Sequence, residues 1–288
     1  MPLLRGHLRE NQVYDAVQDK AKGSSTALQF LTSLENLSAI YVAIFNPEHE
    51  RWNAYPDSIR RAIQTLNRLN IKGLRPLMLA VAAQFSKKEA AEAFRMFISW
   101  SVRFIIMSNT SRGSIDEVLA AAAHSVFTGD ITTAQAIKKN VVEMIPIDEE
   151  FHKAFEIATD SKSTLARYYL RSLEMAAKGE ATPWFIPNDD QTIIDLEHIL
   201  PEEPGDNWPQ FTEDDVKTYS RRIGNLALLL AKTNSDLKSS KFEPKKAAYK
   251  DSPYELTRMV ARERRWTKDE IVAGQKRLSD YTLKAWPL

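Results

Sequence analysis

The run DLEHILPEE, residues 195–203, places one histidine among carboxylates. His198 follows Asp195 and Glu197 and precedes Glu202, in a chain with five histidines and no cysteine. An imidazole has a free pKa of about 6.5, so it can take a proton from water near neutral pH. Carboxylate oxygens are ligands for hard divalent cations. The stretch is therefore a candidate site for metal-assisted hydrolysis; a surface salt bridge of His198 with its acidic neighbours is the alternative interpretation.

Two apolar runs predict the strands that would position this chemistry. The sequence TIIDLEHILP, residues 192–201, has the length and the β-branched residues of a strand. A second extended run covers residues 226–230, directly after Gly224 and Asn225. The sequence NSDLKSSKFEPKKAAY, residues 234–249, then suits a turn into a short helix. The order strand, strand, helix defines one small unit.

Three polar residues are spaced so that this unit could bring them together. Asn225 lies 27 positions after His198, and Asn234 lies nine positions after Asn225. If the strands pair as a hairpin and the helix packs across them, the three side chains converge at one edge. Glu197 points to the other face of a regular strand, unless the strand ends or bulges there. Taken singly, Asn225 could be a turn residue and Asn234 a helix cap.

The rest of the chain predicts a mainly α fold. Apolar residues recur at helical spacing through residues 25–45 and 55–70. In the first segment these are Leu28, Leu31, Leu34, Leu37, Ile40 and Tyr41, and in the second they are Ile59, Ile63, Leu66 and Leu69. The polar, proline-rich stretch EATPWFIPNDDQ resembles a linker. We therefore expect a helical domain over residues 1–180 and a second domain over residues 181–288, in which the two strands are embedded in C-terminal helices.

The composition excludes several classes of protein. Of the 288 residues, 43% are hydrophobic and 27% are charged, which is typical of a globular protein. The lack of cysteine excludes disulfide scaffolds, thiolate zinc sites and cysteine nucleophiles, and fits a reducing compartment. No run of about 18 apolar residues predicts a membrane span, and the start MPLLRGHLRENQ lacks the apolar core of a signal peptide. The expected location is the cytoplasm.

The charge is distributed unevenly along the C-terminal part. Residues 191–216 hold eight Asp/Glu and no Lys/Arg, whereas residues 217–288 hold seventeen Lys/Arg and eight Asp/Glu. A basic segment can bind phosphates, although it can also be an ordinary solvated helix surface. The candidates for DNA contact are Arg221, Arg222, Lys246, Arg264 and Arg265.

The motifs resemble the HNH, or ββα-metal, nuclease motif of histidine, asparagine, then asparagine or histidine. More closely, EHILP…RRIGNLALLLAKTNSDLKSSKFEPKKAAY…W is similar to the C-terminal nuclease domain of GmrSD-type restriction endonucleases, which are modification-dependent (type IV) anti-phage systems. In that family Glu-His-Ile-x-Pro is followed by Gly-Asn-Leu-x-Leu-Leu, an asparagine and Phe-x-x-Lys, here Phe242 and Lys245. The segments VRFIIM, PIDEEF and LARYYLRSLE also resemble the helical middle region of those proteins.

The resemblance implies a role for each polar residue of the unit. His198 is the expected general base, and Asn225 the strut that ties the connecting loop to the strand. Asn234 is the expected metal ligand through its amide oxygen. Glu197 is the first choice for a carboxylate ligand, and Asp195 the second. Hard oxygen ligands favour Mg²⁺ or Mn²⁺ over zinc.

The resemblance further implies a DNA endonuclease that belongs to a restriction system. Lys241 or Lys245 could contact phosphate or stabilise the transition state. Proteins of this kind usually carry an N-terminal ParB-like domain that binds nucleotide, and no Asp-Gly-Gln-Gln-Arg type motif occurs here. We therefore expect a ParB-like sensor and NTPase domain or subunit as a partner. The alternative is a non-catalytic helical interaction module with a degenerate nuclease lobe that binds DNA or a sensor subunit.

Overall fold

The computed structural model describes residues 10–107, 115–159, 163–186 and 190–288. The chain divides into two compact units, Met1–Pro146 and Ile147–Leu288. Helices dominate both units, and the described residues form a single sheet of two strands, in the second unit. The expected mainly α fold is thereby confirmed. Within the described ranges, no helix combines the length and the hydropathy needed to cross a membrane.

The N-terminal unit is built from helices joined by short turns. Helix α3 has a buried face of residues spaced three and four apart, as the sequence predicts, and ends at Asn70 in the left-handed conformation that asparagine tolerates. Ser86 caps helix α5 by accepting a hydrogen bond from the Glu89 N–H. The helices are α1 (Glu10–Lys20), α2 (Ser24–Ala43), α3 (Asp57–Leu69), α4 (Arg75–Gln84), α5 (Lys87–Ile106), α6 (Ile115–Thr128) and α7 (Ala134–Val141).

Helix α2 shows a burial pattern that differs from the sequence expectation. Its buried residues are Phe30, Ile40 and Ala43. Leu28, Leu31 and several other apolar residues that recur at helical spacing are exposed. The helix is apolar around much of its circumference, so the spacing of its leucines could not decide which side packs inward.

The C-terminal unit surrounds its sheet with helices. In the described part of this unit, two α-helices precede the strands, one lies between them, and the others follow the second strand. The elements are α8 (Asp148–Phe155), α9 (Ser163–Ala177), β1 (Ile194–His198), α10 (Glu213–Tyr219), β2 (Leu226–Leu230), α11 (Ala231–Leu237), α12 (Phe242–Lys250), α13 (Glu255–Val260), α14 (Lys268–Ser279) and α15 (Thr282–Ala285).

The boundary between the units differs from the one expected near residue 180. Helix α9 packs against both strands and against α13 and α15, so it belongs to the second unit. The buried Glu174 of α9 accepts the backbone N–H groups of Glu255 (2.7 Å) and Leu256 (2.9 Å) at the start of α13. The fully buried ring of Trp286 lies against Phe155 of α8 and Tyr169 of α9. The stretch that resembles a linker therefore lies inside the second unit.

The two strands pair antiparallel in one register. Ile194 lies opposite Leu230 and His198 opposite Leu226. Strand β2 covers the predicted residues, whereas β1 is shorter than the predicted 192–201. The ladder ends after His198 because the next two residues bond to Asn225 instead of to β2. A core containing Ile199, Leu229 and residues of the following helices packs around the hairpin.

Candidate active site

His198 is the last residue of β1, and its side chain is partly accessible. Its side chain is 31% exposed, and its Nε2 lies 3.8 Å from Glu202 Oε1. The same oxygen accepts a 2.7 Å hydrogen bond from Arg221 Nε. Burial lowers the pKa of His198, and the charges of Lys245 and Arg221 lower it further, against the opposing effect of Glu202. The imidazole is therefore held in its neutral, proton-accepting form around neutral pH.

Asn225 is buried, and its side-chain amide connects the chain after β1 to the chain before β2. Its Oδ1 accepts hydrogen bonds from the Leu200 N–H (2.9 Å) and from Trp266 Nε1 (3.0 Å). Its Nδ2 donates to the carbonyls of Leu200 (2.8 Å) and Ser220 (2.9 Å). The amide thus joins the segment after His198, the segment before β2 and a core tryptophan. The alternative of a simple turn residue does not describe these contacts.

Asn234 lies inside α11 and reaches back to β1. Its Nδ2 donates to Asp195 Oδ2 at 2.7 Å and to the Leu196 carbonyl at 3.3 Å. It is not a cap, because α11 begins at Ala231. The sheet and the helix therefore bring Asn234 to the strand that carries His198, with Asp195 three residues before the histidine.

Glu197 belongs to a buried polar cluster beneath the strand. Its Oε1 lies 2.7 Å from Lys245 Nζ and accepts a 2.8 Å hydrogen bond from Tyr249. Lys245 Nζ also donates to the His198 carbonyl at 2.7 Å. The lysine is fully buried, and Glu197 is 4% exposed. The cluster ties α12 to the end of β1.

The pKa values in this cluster are set mainly by burial. Burial raises the pKa of Glu197, against the attraction of Lys245 and the hydrogen bond from Tyr249. Burial lowers the pKa of Lys245 and raises that of the Tyr249 hydroxyl well above its usual value. Removal from water disfavours the charged form of each group, so the ion pair depends on both partners being present.

The sequence of this unit matches a known protein family. Residues 145–281 match the family model described as GmrSD restriction endonucleases, C-terminal domain. These residues form a GmrSD-type C-terminal domain. The matched range nearly coincides with the second compact unit, and the match confirms the resemblance seen in the C-terminal part of the sequence. No curated protein matches the chain.

The donor set of the GmrSD-type domain fits a hard cation that keeps several water ligands. Among the described residues, no group of three or more His, Cys, Asp or Glu side chains could hold a metal. Asp195 and Glu197 share one face of β1 by strand alternation, His198 lies at the end of the strand, where the alternation stops, and Asn234 adds an amide beside Asp195. Within the described part of the chain, Glu197 Oε2 and Asn234 Oδ1 accept no hydrogen bond. Mg²⁺ is bound in proteins by one or two carboxylates and retained waters, and Asp195 and Glu197 are the carboxylates of β1 that could hold it.

Two of the basic candidates bind other residues of the GmrSD-type domain. Lys245 is fully buried, which contradicts the phosphate contact expected for it. Arg222 donates to Gln275 Oε1 (2.8 Å) and to the Glu156 carbonyl (2.7 Å), so its guanidinium is engaged within the domain and not at the expected DNA surface. Residue types alone could not separate these internal cations from surface ones.

The other basic candidates of the domain lie at its surface. Lys241 immediately precedes α12 and is exposed, and Arg264 is exposed. Lys246 is partly exposed. Arg221 and Arg265 are exposed but pair with Glu202 and Glu270.

The sequence did not identify Tyr249 or Trp266 as parts of this site. Tyr249 donates to Glu197, and Trp266 donates to Asn225. The only signal for Tyr249 was its position four residues after Lys245, which places both on one face of a helix. Trp266 lies 41 positions after Asn225, and nothing in the local pattern links the two.

Proposed function

We propose that the GmrSD-type domain is a metal-dependent endonuclease that hydrolyses phosphodiester bonds in duplex DNA. The observation that carries this proposal is the hydrogen bond from the Asn234 amide to the Asp195 carboxylate. Asp195 lies three residues before His198 on β1. The match of residues 145–281 to a restriction endonuclease family supports DNA as the substrate class. The HNH type of chemistry is supported by the order strand, strand, helix and by the residues on it.

His198 acts as the general base in this proposal. Its neutral imidazole takes a proton from the attacking water, and burial keeps that imidazole unprotonated. The Lys245 hydrogen bond to the His198 carbonyl and the Asn225 hydrogen bonds to Leu200 fix the backbone on which the imidazole sits. Glu202 lies on the Nε2 side and stabilises the imidazolium once it forms.

Asp195, Glu197 and Asn234 are the proposed ligands of Mg²⁺ or Mn²⁺. Bound there, the cation would stabilise the negative charge that develops on the phosphoryl and leaving oxygens. Asp195 and Asn234 contact each other directly. Lys245 and Tyr249 hold one oxygen of Glu197 and thereby orient its second oxygen. Lys241 is the remaining lysine candidate for a phosphate contact, because it is exposed.

We further propose that this nuclease is part of a cytoplasmic anti-phage restriction system. The support is the family, whose members are restriction endonucleases. A ParB-like sensor and NTPase domain or subunit is the proposed partner, as the resemblance to GmrSD-type restriction endonucleases implies. The non-catalytic alternative differs in one outcome, since it allows DNA binding but no cleavage.

Nicking of a supercoiled plasmid with and without EDTA tests the catalytic proposal. His198→Ala should reduce the Mg²⁺- or Mn²⁺-dependent rate by at least roughly 100-fold, because a general base contributes about that factor or more. The circular dichroism spectrum and the thermal midpoint should remain close to those of the wild type. His124→Ala, in α6 of the other unit, is the control and should nick normally. Full activity of His198→Ala, or nicking that persists in EDTA, contradicts the assignment.

A further inference from the structure

Lys238 has a backbone conformation that normally belongs to glycine. It directly follows α11 and has φ +46° and ψ −132°. The Ser240 N–H donates to the Leu237 carbonyl at 3.0 Å, which closes a turn with Lys238 at its second position. These angles match the position of a type II′ turn that favours glycine. Among the described residues, the other non-glycine residue with positive φ is Asn70, in a conformation that asparagine adopts readily.

The surrounding chain holds this strained turn in place. Ser239 Oγ donates to the Glu203 carbonyl at 3.1 Å. Asn207 Nδ2 donates to the Ser239 carbonyl at 3.0 Å, and the indole of the buried Trp208 donates to the Ser240 carbonyl at 3.2 Å. The turn is therefore attached to the 203–208 loop at three points. A strained conformation persists only where its surroundings determine it in this way, and such sites are concentrated at functional positions.

The lysine has no internal partner that would explain its presence in the turn. Lys238 is exposed, and within the described part of the chain no carboxylate lies within salt-bridge distance of its ammonium. A glycine would satisfy the backbone without strain. Compared with glycine, the lysine adds an exposed positive charge to this turn.

The turn is directly connected to the candidate active site. The Lys238 N–H lies 3.4 Å from the carbonyl of Asn234, one helical turn earlier, so the turn directly continues the helix that carries Asn234. Lys241, also exposed, closes the sequence KSSK at the start of α12. Two lysines thus follow a proposed metal ligand within seven residues.

We propose that Lys238 binds a DNA backbone phosphate next to the scissile one, and that the strained turn preorganises it for that contact. The proposal rests on the nuclease function proposed above. It identifies an additional substrate-binding residue, outside the predicted set of DNA-binding arginines and lysines. Because the contact is to phosphate, it contributes affinity and register rather than base specificity.

The test uses the full chain with His198→Ala as the common background, a short duplex DNA as the probe and a divalent cation present. Lys238→Gln removes the charge, and we expect about a threefold to tenfold loss of affinity at low salt. The slope of log affinity against log salt should fall in magnitude by about one. Lys238→Arg retains the charge and should bind as the background protein does. Lys250→Gln removes an exposed lysine from the far end of α12 and serves as the matched control.

Lys238→Gly separates binding from folding. Removal of the strain should raise the thermal midpoint, by roughly 2 °C or more, while binding falls as for Lys238→Gln. If Lys238→Gly gains stability and binds DNA like the background protein, or if Lys238→Gln matches Lys250→Gln, the proposal is wrong although the nuclease function stands. If the wild-type protein neither nicks nor binds DNA, the nuclease proposal itself fails, and this one fails with it.

Discussion

At the scale of single residues, the carboxylate of Glu202 is shared between a guanidinium and the imidazole of His198. Arg221 holds Glu202 Oε1 at 2.7 Å, and His198 Nε2 lies 3.8 Å from the same oxygen. The Arg221 hydrogen bond keeps the pKa of Glu202 below its usual value, so Glu202 is a carboxylate throughout the working range. Glu202 therefore raises the pKa of His198, while burial, Lys245 and Arg221 lower it.

This arrangement predicts how the cleavage rate depends on pH. The base must be neutral, so the rate falls as the pH drops through the pKa of His198. In Glu202→Gln the group that raises this pKa is absent, and the acid limb of the pH–rate profile should move to lower pH. Glu203→Gln, one residue further along and also exposed, should leave the limb unchanged. If the acid limb of the pH–rate profile stays in place or moves to higher pH in Glu202→Gln, Glu202 does not raise the pKa of His198.

The roles of single residues were only partly readable from the sequence. The spacing of His198, Asn225 and Asn234 predicted that they belong to one unit, and the structure places them on one hairpin and helix. The phosphate contact expected of Lys245 requires an accessible side chain, whereas the structure buries it. Its burial results from Glu197, 48 positions earlier, and such a distant pairing leaves no local pattern.

At the scale of elements, the Glu197–Lys245 pair fixes α12 to β1. Strand β2 and the helix after it were predictable because the leucine run and the turn residues are local signals. The orientation of α12 was not predictable, because it depends on an ion pair and a tyrosine hydrogen bond with β1. The buried face of α2 could not be read from the sequence either, since that helix is apolar on several sides.

Lys245→Met should therefore destabilise the protein strongly. It leaves Glu197 buried without its counter-ion, and we expect a loss of roughly 3 kcal/mol or more in the free energy of unfolding. The double variant Glu197→Gln/Lys245→Met should recover part of that loss, because no buried charge remains. Lys250→Met, on the same helix but exposed, should change the stability by less than about 0.5 kcal/mol. Urea denaturation measures all three, and equal stabilities of Lys245→Met and Lys250→Met would refute the role of the pair.

At the scale of the whole molecule, the second unit begins well before the stretch that resembles a linker. The polar and proline-rich residues 180–191 suggested a boundary, yet α8 and α9 supply Phe155, Tyr169 and Glu174 to the core and caps of the C-terminal unit. Composition locates loops, but it cannot tell whether the helices before a loop pack with the segment that follows it.

Two fragments test this organisation. Residues 147–288 should fold cooperatively on their own, with a helical circular dichroism spectrum and a single unfolding transition. Residues 181–288 lack α8 and α9, so Trp286 loses its aromatic neighbours and α13 loses the Glu174 cap. This shorter fragment should be unfolded or much less stable. Equal stability of the two fragments would place the boundary back near residue 180.

The most direct test of the proposed nuclease site is the position of a bound Mn²⁺ ion in crystals of the full chain, located by its anomalous scattering. We predict an anomalous peak between the side chains of Asp195, Glu197 and Asn234, beside the strand that ends at His198. The peak should be lost in Asn234→Ala. A peak at any other group of residues, or no peak at these side chains in a protein that cleaves DNA with Mn²⁺, would contradict it.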